Sequence, residues 1–174
     1  MKASRNFMAK PLLKHGKFEL HKLGEADVLP FYMNLSKENV REYEVLYDEE
    51  PYTSLLGLLN LDMVHSVKID GSVAAVTGVY NNVFWAMFSK DITKNWRGLV
   101  RGSPKLVEFY HNFFDELECN IWAENVFTLN WVAHLGFEPR VTYSDEGGNQ
   151  HVHFVRCKHW FDDVHSKISR PVMH

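Results

Sequence analysis

The sequence predicts a single α/β domain built on a mixed, mostly antiparallel sheet of six to seven strands flanked by helices. The 174 residues are 45% hydrophobic and 24% charged, which is typical of one ordinary globular domain. Short strand-like apolar runs also alternate along the chain with helix-length stretches. We expect residues 1–15 to form a loose N-terminal arm and residues 158–174 a C-terminal tail.

The N-terminal third of the chain predicts one strand followed by three helices. The strand covers residues 18–20. The helices cover residues 25–35, 38–47 and 51–60, and Pro51 suits the first turn of the last one.

The middle of the chain predicts a hairpin, a buried strand and a long helix. Residues 64–69 and 74–80 flank Asp70-Gly71, a tight-turn pair typical of hairpins. Residues 83–88 are almost wholly apolar, which predicts a central strand covered on both faces. Ser103-Pro104 then predicts the start of the long helix, with Ser as the N-cap and Pro at the first helical position.

Residues 117–139 are the most informative stretch. Residues 119–123 form an apolar run that fits a buried strand, and Asn125 follows it. A helix-length segment comes next, with apolar residues at helical spacing, and Gly136 ends it because glycine readily takes a positive φ. Phe137 begins a new extended segment. Residues 140–144 and 151–157 then predict a final pair of strands.

This stretch resembles the closing part of the GNAT superfamily of N-acetyltransferases. There, an Asn after a strand is followed by a small residue, a Tyr and a Gly-Phe pair at roughly fixed spacing. Asn125, Thr128 and Gly136-Phe137 match that pattern, whereas Val132 stands at the Tyr position. The predicted order of strands and helices is also that of the family over nearly the whole chain. The resemblance implies one GNAT-like domain over residues 1–174.

The resemblance also implies that acetyl-CoA or another acyl-CoA binds between the fourth and fifth predicted strands, residues 83–88 and 119–123. The pantetheine arm would meet the fourth strand on one side and Asn125 on the other. The pyrophosphate would meet residues 97–103, although Val100 stands where the family has a Gly. The implied contacts are Trp85, Met87, Ser89, Arg97, Gly98, Arg101, Gly102, Ser103, Asn125, Thr128 and Trp131.

Residues 94–104 also have an interpretation that does not depend on the family. Two glycines, two arginines and a Ser at a helix start are suited to an anion site, because amides and the helix dipole point at the ligand. A basic surface loop explains the same residues.

Transfer of an acyl group to an amine needs a base for the amine proton and a proton donor for the leaving sulfur. Glu124, just past the fifth predicted strand, is the candidate base. Glu42, Glu44 and Glu50 are alternatives, and each also fits a solvated surface carboxylate. Val132 cannot donate a proton, and no spacing selects among the other tyrosines considered, which are Tyr80, Tyr110 and Tyr143.

Charge is unevenly distributed along the chain. The net charge of −3 argues against a nucleic-acid binder. Residues 90–105 carry five basic side chains against one acidic, and residues 37–50 carry six acidic against two basic. Two solvated faces explain this, and so does a site with a basic wall for phosphates and an acidic wall for an amine.

Other functional classes are disfavoured. No stretch has the apolar length of a membrane span, so we expect no membrane partner. Cys119 and Cys157 are too few for a disulfide framework, which favours a cytoplasmic setting. His151 and His153 share a face of a predicted strand, but no third ligand has a recognised spacing to them, so we expect no metal.

A narrower resemblance joins residues 62–78, 83–90 and 121–137 to GNAT-like proteins of T7-like podoviruses, among them a virion-assembly protein. It implies a bacteriophage protein in the host cytoplasm. Two functions follow from it: acyl transfer to a small amine or a protein amino group, or non-catalytic binding of a phage or host protein. An open cleft would favour the first, and a cleft filled by Trp85, Trp96 or Trp131 the second. GNAT proteins often form homodimers, although no segment here marks an interface.

Overall fold

The computed structural model describes residues 9–47 and 50–158. The described residues form one eight-stranded mixed sheet with strand order β1-β2-β3-β4-β5-β6-β8-β7, flanked by five α-helices. The strands are β1 (Leu13–His15), β2 (Phe18–Lys22), β3 (Val64–Ile69), β4 (Ser72–Tyr80), β5 (Val83–Phe88), β6 (Glu116–Trp122), β7 (Glu138–Ser144) and β8 (Gln150–Cys157). The helices are α1 (Glu25–Met33), α2 (Lys37–Leu46), α3 (Pro51–Leu58), α4 (Trp96–His111) and α5 (Val126–His134), and a 3₁₀ turn covers Lys90–Thr93.

The predicted α/β class and the mostly antiparallel sheet are confirmed. Only β5 and β6 pair in parallel, and the other neighbouring strands of the described sheet are antiparallel. The β3–β4 hairpin turns at Asp70 and Gly71, whose φ angles are 52° and 80°. Positive φ at both central residues matches the twist of the flanking strands, which is why Asp-Gly marks such a turn.

The two faces of the sheet are covered by different helices. The face under α4 and α5 holds the larger core, which includes Phe18, Phe84, Tyr110 and Trp131. The face under α1 and α3 holds a second core that includes Phe31. The helix α2 instead contacts the end of β5, where Asn39 accepts a hydrogen bond from the Phe88 amide. No helix among the described residues is both long and apolar enough to cross a bilayer.

Two expectations about the chain ends and the long helix need correction. Residues 13–15 were expected in a loose arm, but they form β1 and pair with β2. The long helix begins at Trp96 rather than at Ser103, so Pro104 lies inside it. Its buried stripe starts earlier, at Leu99, and tertiary packing of that stripe outweighs the local start signal. The C-terminal tail expected over residues 158–174 lies, apart from Lys158, outside the described residues.

Candidate acyl-transfer site

The strands β5 and β6 separate almost as soon as they meet. They pair at one position, Val83 with Glu118, and share no further ladder pairing among the described residues. A cavity of about 940 Å³ lies at the separation, bounded by β5, β6, α2, α3 and the start of α5. We call it the split cavity. The missing ladder leaves backbone groups on the facing edges of both strands, which a polar ligand can use.

The edge of β5 that faces the separation is partly covered. The Phe88 amide donates to Asn39 Oδ1 at 2.8 Å, and the Phe88 carbonyl accepts from the Ser36 amide at 2.9 Å. Residues two apart on a strand direct their backbone groups to the same edge, so those of Ala86 also face the separation. Ala86 lines the split cavity. Its backbone is therefore available to a ligand amide or carbonyl.

Asn125 and Glu42 join the two sides of the separation. Asn125 Oδ1 accepts from the Thr128 amide at 3.2 Å and so caps α5. Asn125 Nδ2 and Asn39 Nδ2 each donate to Glu42 Oε2 at 3.3 Å. Burial raises the pKa of Glu42 above its ordinary value, although both hydrogen bonds act to lower it. A desolvated carboxylate with a raised pKa is a better proton acceptor than a surface one.

Thr128 carries an unused hydroxyl at the same place. Its side chain is 4% exposed, and Oγ1 has no hydrogen-bond partner among the described residues. Thr128, Asn39 and Asn125 line both the split cavity and a second cavity of about 230 Å³, which we call the side cavity. The two cavities therefore meet at these three residues. An orphaned buried hydroxyl at such a junction is suited to a ligand that supplies the missing partner.

Cationic side chains line the side cavity, and one of its lining residues contacts the start of α4. Lys37 and Lys90 line it, together with the acidic Glu38. At the start of α4, the side chain of the N-cap residue Asn95 makes no cap hydrogen bond to the first-turn amides. Phe127 of the side cavity contacts Trp96 of this turn, with ring centroids 5.3 Å apart. Amides at a helix start, with basic side chains near them, are suited to a phosphate.

Solved structures with known folds resemble this chain, whereas no family model and no curated protein matches it. A GNAT-family acetyltransferase from Bacillus anthracis is 8% identical over 83% of this chain and 97% of its own, with a TM-score of 0.66. A spermidine N-acetyltransferase from Vibrio cholerae, in complex with CoA and spermine, is 11% identical over 83% and 97%, with a TM-score of 0.61. An aminoglycoside acetyltransferase in complex with coenzyme A is 15% identical over 85% and 99%, with a TM-score of 0.63.

The chain has the GNAT fold. At these identities the likeness establishes the fold and leaves the activity to be argued from the site.

The fold brings some predicted site residues together. Trp85 and Met87 line the split cavity, and Asn125 and Thr128 lie where the two cavities meet. Ser89 lines the side cavity, but it is buried and its amide donates to the Ala74 carbonyl. Arg97 and Arg101 are exposed on α4, one turn apart.

Four other predicted cofactor contacts serve the core of the GNAT fold. Gly102 lies against Phe18, and Gly98 lies against Ile69. Ser103 is fully buried, donates to the Leu99 carbonyl and accepts from Trp131 Nε1. Trp131 is 1% exposed and packs on Phe88, with ring centroids 5.1 Å apart. Residues 97–103 therefore belong to a helix that packs closely on the sheet, and they do not form a glycine-containing loop.

The candidate base Glu124 lies outside the cleft. Its side chain is 55% exposed and forms an ion pair with Arg41 at 2.8 Å. Arg41 also lies over the Trp122 ring, 5.5 Å from its centroid. Glu124 does not line the split cavity, whereas Glu42 and Glu50 do. Glu42, one of the alternatives, is therefore the better-placed carboxylate.

The tyrosines considered as proton donors also lie elsewhere. Tyr110 is buried beside His65, Tyr80 is exposed, and Tyr143 stacks on His151. Val132 is 1% exposed and belongs to the core. Tyr43 of α2 and Tyr47, which directly follows this helix, line the split cavity, and neither was predicted from the sequence.

A signal for the α2 residues was present in the sequence. Asn39, Glu42, Tyr43 and Leu46 follow the i, i+3, i+4, i+7 spacing of one helix face. Polar residues on the face that packs inward indicate a site rather than a core.

The two histidines considered as metal ligands, His151 and His153, each have a hydrogen-bond partner. His151 Nε2 lies 2.9 Å from Asp145 Oδ2, and His153 Nδ1 lies 3.0 Å from Asn120 Oδ1. No group of three or more potential metal-ligating side chains occurs within residues 9–47 and 50–158.

Proposed function

We propose that the protein is an acyl-CoA-dependent N-acyltransferase that acts on a small amine or a protein amino group. The observation that carries this proposal is the junction of two cavities at the β5–β6 separation. There the buried Glu42 carboxylate, Asn125 and the orphaned Thr128 hydroxyl meet. The side cavity and the β5 edge of the split cavity would hold an acyl donor, and the rest of the split cavity, beside Glu42, would hold an amine.

The residues at the separation fit acyl-CoA. Ala86 would pair through its backbone with the pantetheine arm, and Thr128 Oγ1 would hydrogen bond to it. The first-turn amides of α4, with Lys90 and Arg97, would hold the phosphates. When bound, acyl-CoA supplies a thioester whose carbonyl carbon is open to attack by an amine.

Glu42 would accept the proton that the amine must lose. Its burial raises its pKa, and Asn39 and Asn125 hold the carboxylate at the junction. The new bond forms between the amine nitrogen and the acyl carbon, and the bond between that carbon and sulfur breaks. General-base help of this kind is worth roughly 10²–10⁴ in rate.

The leaving sulfur needs a proton, which Val132 cannot give. Tyr43 and Tyr47 are the phenols that line the split cavity in the described chain. The Tyr43 hydroxyl lies 3.6 Å from Met87 Sδ on β5, the strand beside which the thioester would lie. We assign Tyr43 as the proton donor.

Replacing Thr128 with valine tests the donor site. The change keeps the shape of the side chain and removes a hydroxyl that has no partner, so the unliganded protein should be as stable as before or more stable. The affinity for acetyl-CoA, measured by calorimetric titration, should fall about threefold to tenfold, as for one lost hydrogen bond. The double change of Arg97 and Arg101 to Ala should weaken the same binding through the phosphates.

Thr77→Val is the matched control. The Thr77 hydroxyl already donates to the Trp85 carbonyl at 2.8 Å, so this change should lower stability and leave acetyl-CoA affinity nearly unchanged. Acetyl-CoA binding that is unaffected in the Thr128 variant would remove the hydroxyl from the donor site.

A second candidate function is a non-catalytic, phage-encoded protein that binds phage or host proteins. The placement of Val132 in the core and the packing of Gly98 and Gly102 against the sheet favour it, because both depart from the expected catalytic pattern. No binding of acetyl-CoA or longer acyl-CoAs to the purified protein would refute the enzyme proposal in favour of this one.

A further inference from the structure

The amine side of the site continues beyond the split cavity. A third cavity of about 740 Å³, which we call the outer cavity, lies along the C-terminal half of α2. It shares Tyr43, Tyr47 and Glu50 with the split cavity. The space on this side of Glu42 is therefore one groove made of two cavities, larger than a single amino group requires.

The charges along this groove have one sign. Glu42, Glu44 and Glu50 line it, and no Lys, Arg or His of the described chain does. The side cavity, on the other side of the junction, is lined by two cations, Lys37 and Lys90, and one carboxylate, Glu38. A ligand that fills the groove is therefore cationic, and an amine that also carries a carboxylate is disfavoured by like charge.

Aromatic and apolar side chains separate the carboxylates. Tyr43 and Tyr47 pack with ring centroids 5.1 Å apart, between the two cavities. Tyr32 hydrogen bonds to Glu50, and this bond lowers the pKa of Glu50, which stays ionised. Leu58 and Met87 line the split cavity, and Met33 and Pro51 line the outer one. Tyrosine faces and carboxylates attract ammonium groups, and apolar walls accept methylene chains.

We propose that the amine acceptor is a linear aliphatic polyamine, with the reacting amine at Glu42 and a second ammonium group at Glu50 beside Tyr47. This rests on the proposed acyl transfer and names its substrate class. Tyr47 directly follows α2, five positions after Glu42, so at a rise of 1.5 Å per residue the two lie about 7.5 Å apart along the helix axis, a separation that a short alkyl chain spans. The buried, orphaned Thr128 hydroxyl, assigned above to the acyl donor, lines the same split cavity and marks it as a ligand site on grounds other than charge.

Calorimetric titration with spermidine, putrescine and butylamine tests the proposal without acyl-CoA. Putrescine and butylamine have the same carbon chain and differ by one amino group, so their affinity ratio reports the second cation site. We expect spermidine and putrescine to bind about tenfold or more tightly than butylamine. Equal affinities for putrescine and butylamine would overturn the proposal.

Glu50→Gln locates the second site. Glu50 Oε2 accepts from the Thr53 amide at 3.1 Å at the start of α3, and Gln keeps an acceptor there, so the helix cap is retained. This variant should lose about tenfold in spermidine affinity and bind butylamine as before. Glu25→Gln, an equal change of charge at an exposed position that lines none of the three cavities, is the control and should bind both amines as the native chain does.

Turnover with acetyl-CoA separates this proposal from the proposed function. Acetyl transfer to butylamine as efficient as to spermidine would overturn the polyamine assignment and leave the acyltransferase standing. Tight spermidine binding with no acetyl transfer to any amine would refute the acyltransferase and leave the amine site. Transfer to a lysine-containing peptide but to none of the free amines would overturn the polyamine assignment in favour of a protein acceptor.

Discussion

Replacing Gly102 with alanine puts a methyl group where the Phe18 ring lies. An ideal Cβ on Gly102 would stand 2.2 Å from Phe18 Cγ and 2.3 Å from Cδ2. Carbon atoms in contact prefer about 3.5–4.0 Å, so α4 and β2 must move apart by more than about 1 Å. Phe18 is 1% exposed and belongs to the larger core, so its ring has little room to turn aside.

The magnitude follows from two opposing effects. Overpacking a core costs about 1–3 kcal/mol, and an overlap with the near atoms of a buried ring belongs at the upper end of that range. Ala is favoured over Gly in a helix interior by about 1 kcal/mol, which offsets part of it. The free energy of unfolding should therefore fall by about 2 kcal/mol. For a chain of this length the melting temperature should fall by about 4–8 °C.

Thermal denaturation measures this, with Gly57→Ala as the matched control. Gly57 is exposed on α3 and an added Cβ meets nothing within 4 Å, so this variant should gain up to about 1 kcal/mol. Gly102→Ala/Phe18→Leu should recover part of the lost stability, because the smaller side chain relieves the overlap. If Gly102→Ala melts like the native chain but binds acetyl-CoA more weakly, the glycine serves the ligand and the packing argument is refuted.

Two further predictions concern titratable groups. Glu42→Gln should lower the acyl-transfer rate by about 10²-fold. It should also remove the acidic limb of the pH profile of that rate, with acetyl-CoA affinity retained. Because burial raises the pKa of native Glu42, the variant should be the more stable protein above that pKa, and a stability advantage that persists in acid would contradict this reasoning. Burial lowers the pKa of His65 to about 4, so its contribution to stability is complete above pH 6.5 and about 3 kcal/mol should be lost as the pH falls to 4. Denaturation of His65→Gln between pH 6.5 and 4 should show a smaller loss of stability than the native chain. An equal dependence of stability on pH in the two proteins would exclude His65 as the source of the loss.

The candidate site was predictable where a single segment of the chain contains both the sequence pattern and the local backbone structure that the pattern predicts. Asn125 caps α5 and Gly136 ends it with a φ of 84°, as the local spacing indicates. The proposed base was not predictable in this way. Asn125 donates a hydrogen bond to Glu42, and Arg41 forms an ion pair with Glu124 outside the cavity. The two partners are 83 residues apart in the sequence in both cases. Sequence proximity to the cleft favoured Glu124, whereas the packing of α2 across the separation brings the Glu42 carboxylate into the cavity.

The sequence by itself determined the α/β class, most element positions and the β3–β4 turn, because these depend on residue periodicity and on φ preferences that act over a few residues. Only the tertiary structure decided where α4 begins. Ser103-Pro104 is a valid local start signal, but the close contact of Gly102 with Phe18 and of Ser103 with Trp131 extends the helix back to Trp96. The separation of β5 from β6 was likewise decided by packing. No residue preference of either strand forbids pairing, whereas the side chains of Asn39 on α2 and Asn125 at the start of α5 both donate to Glu42 at the separation.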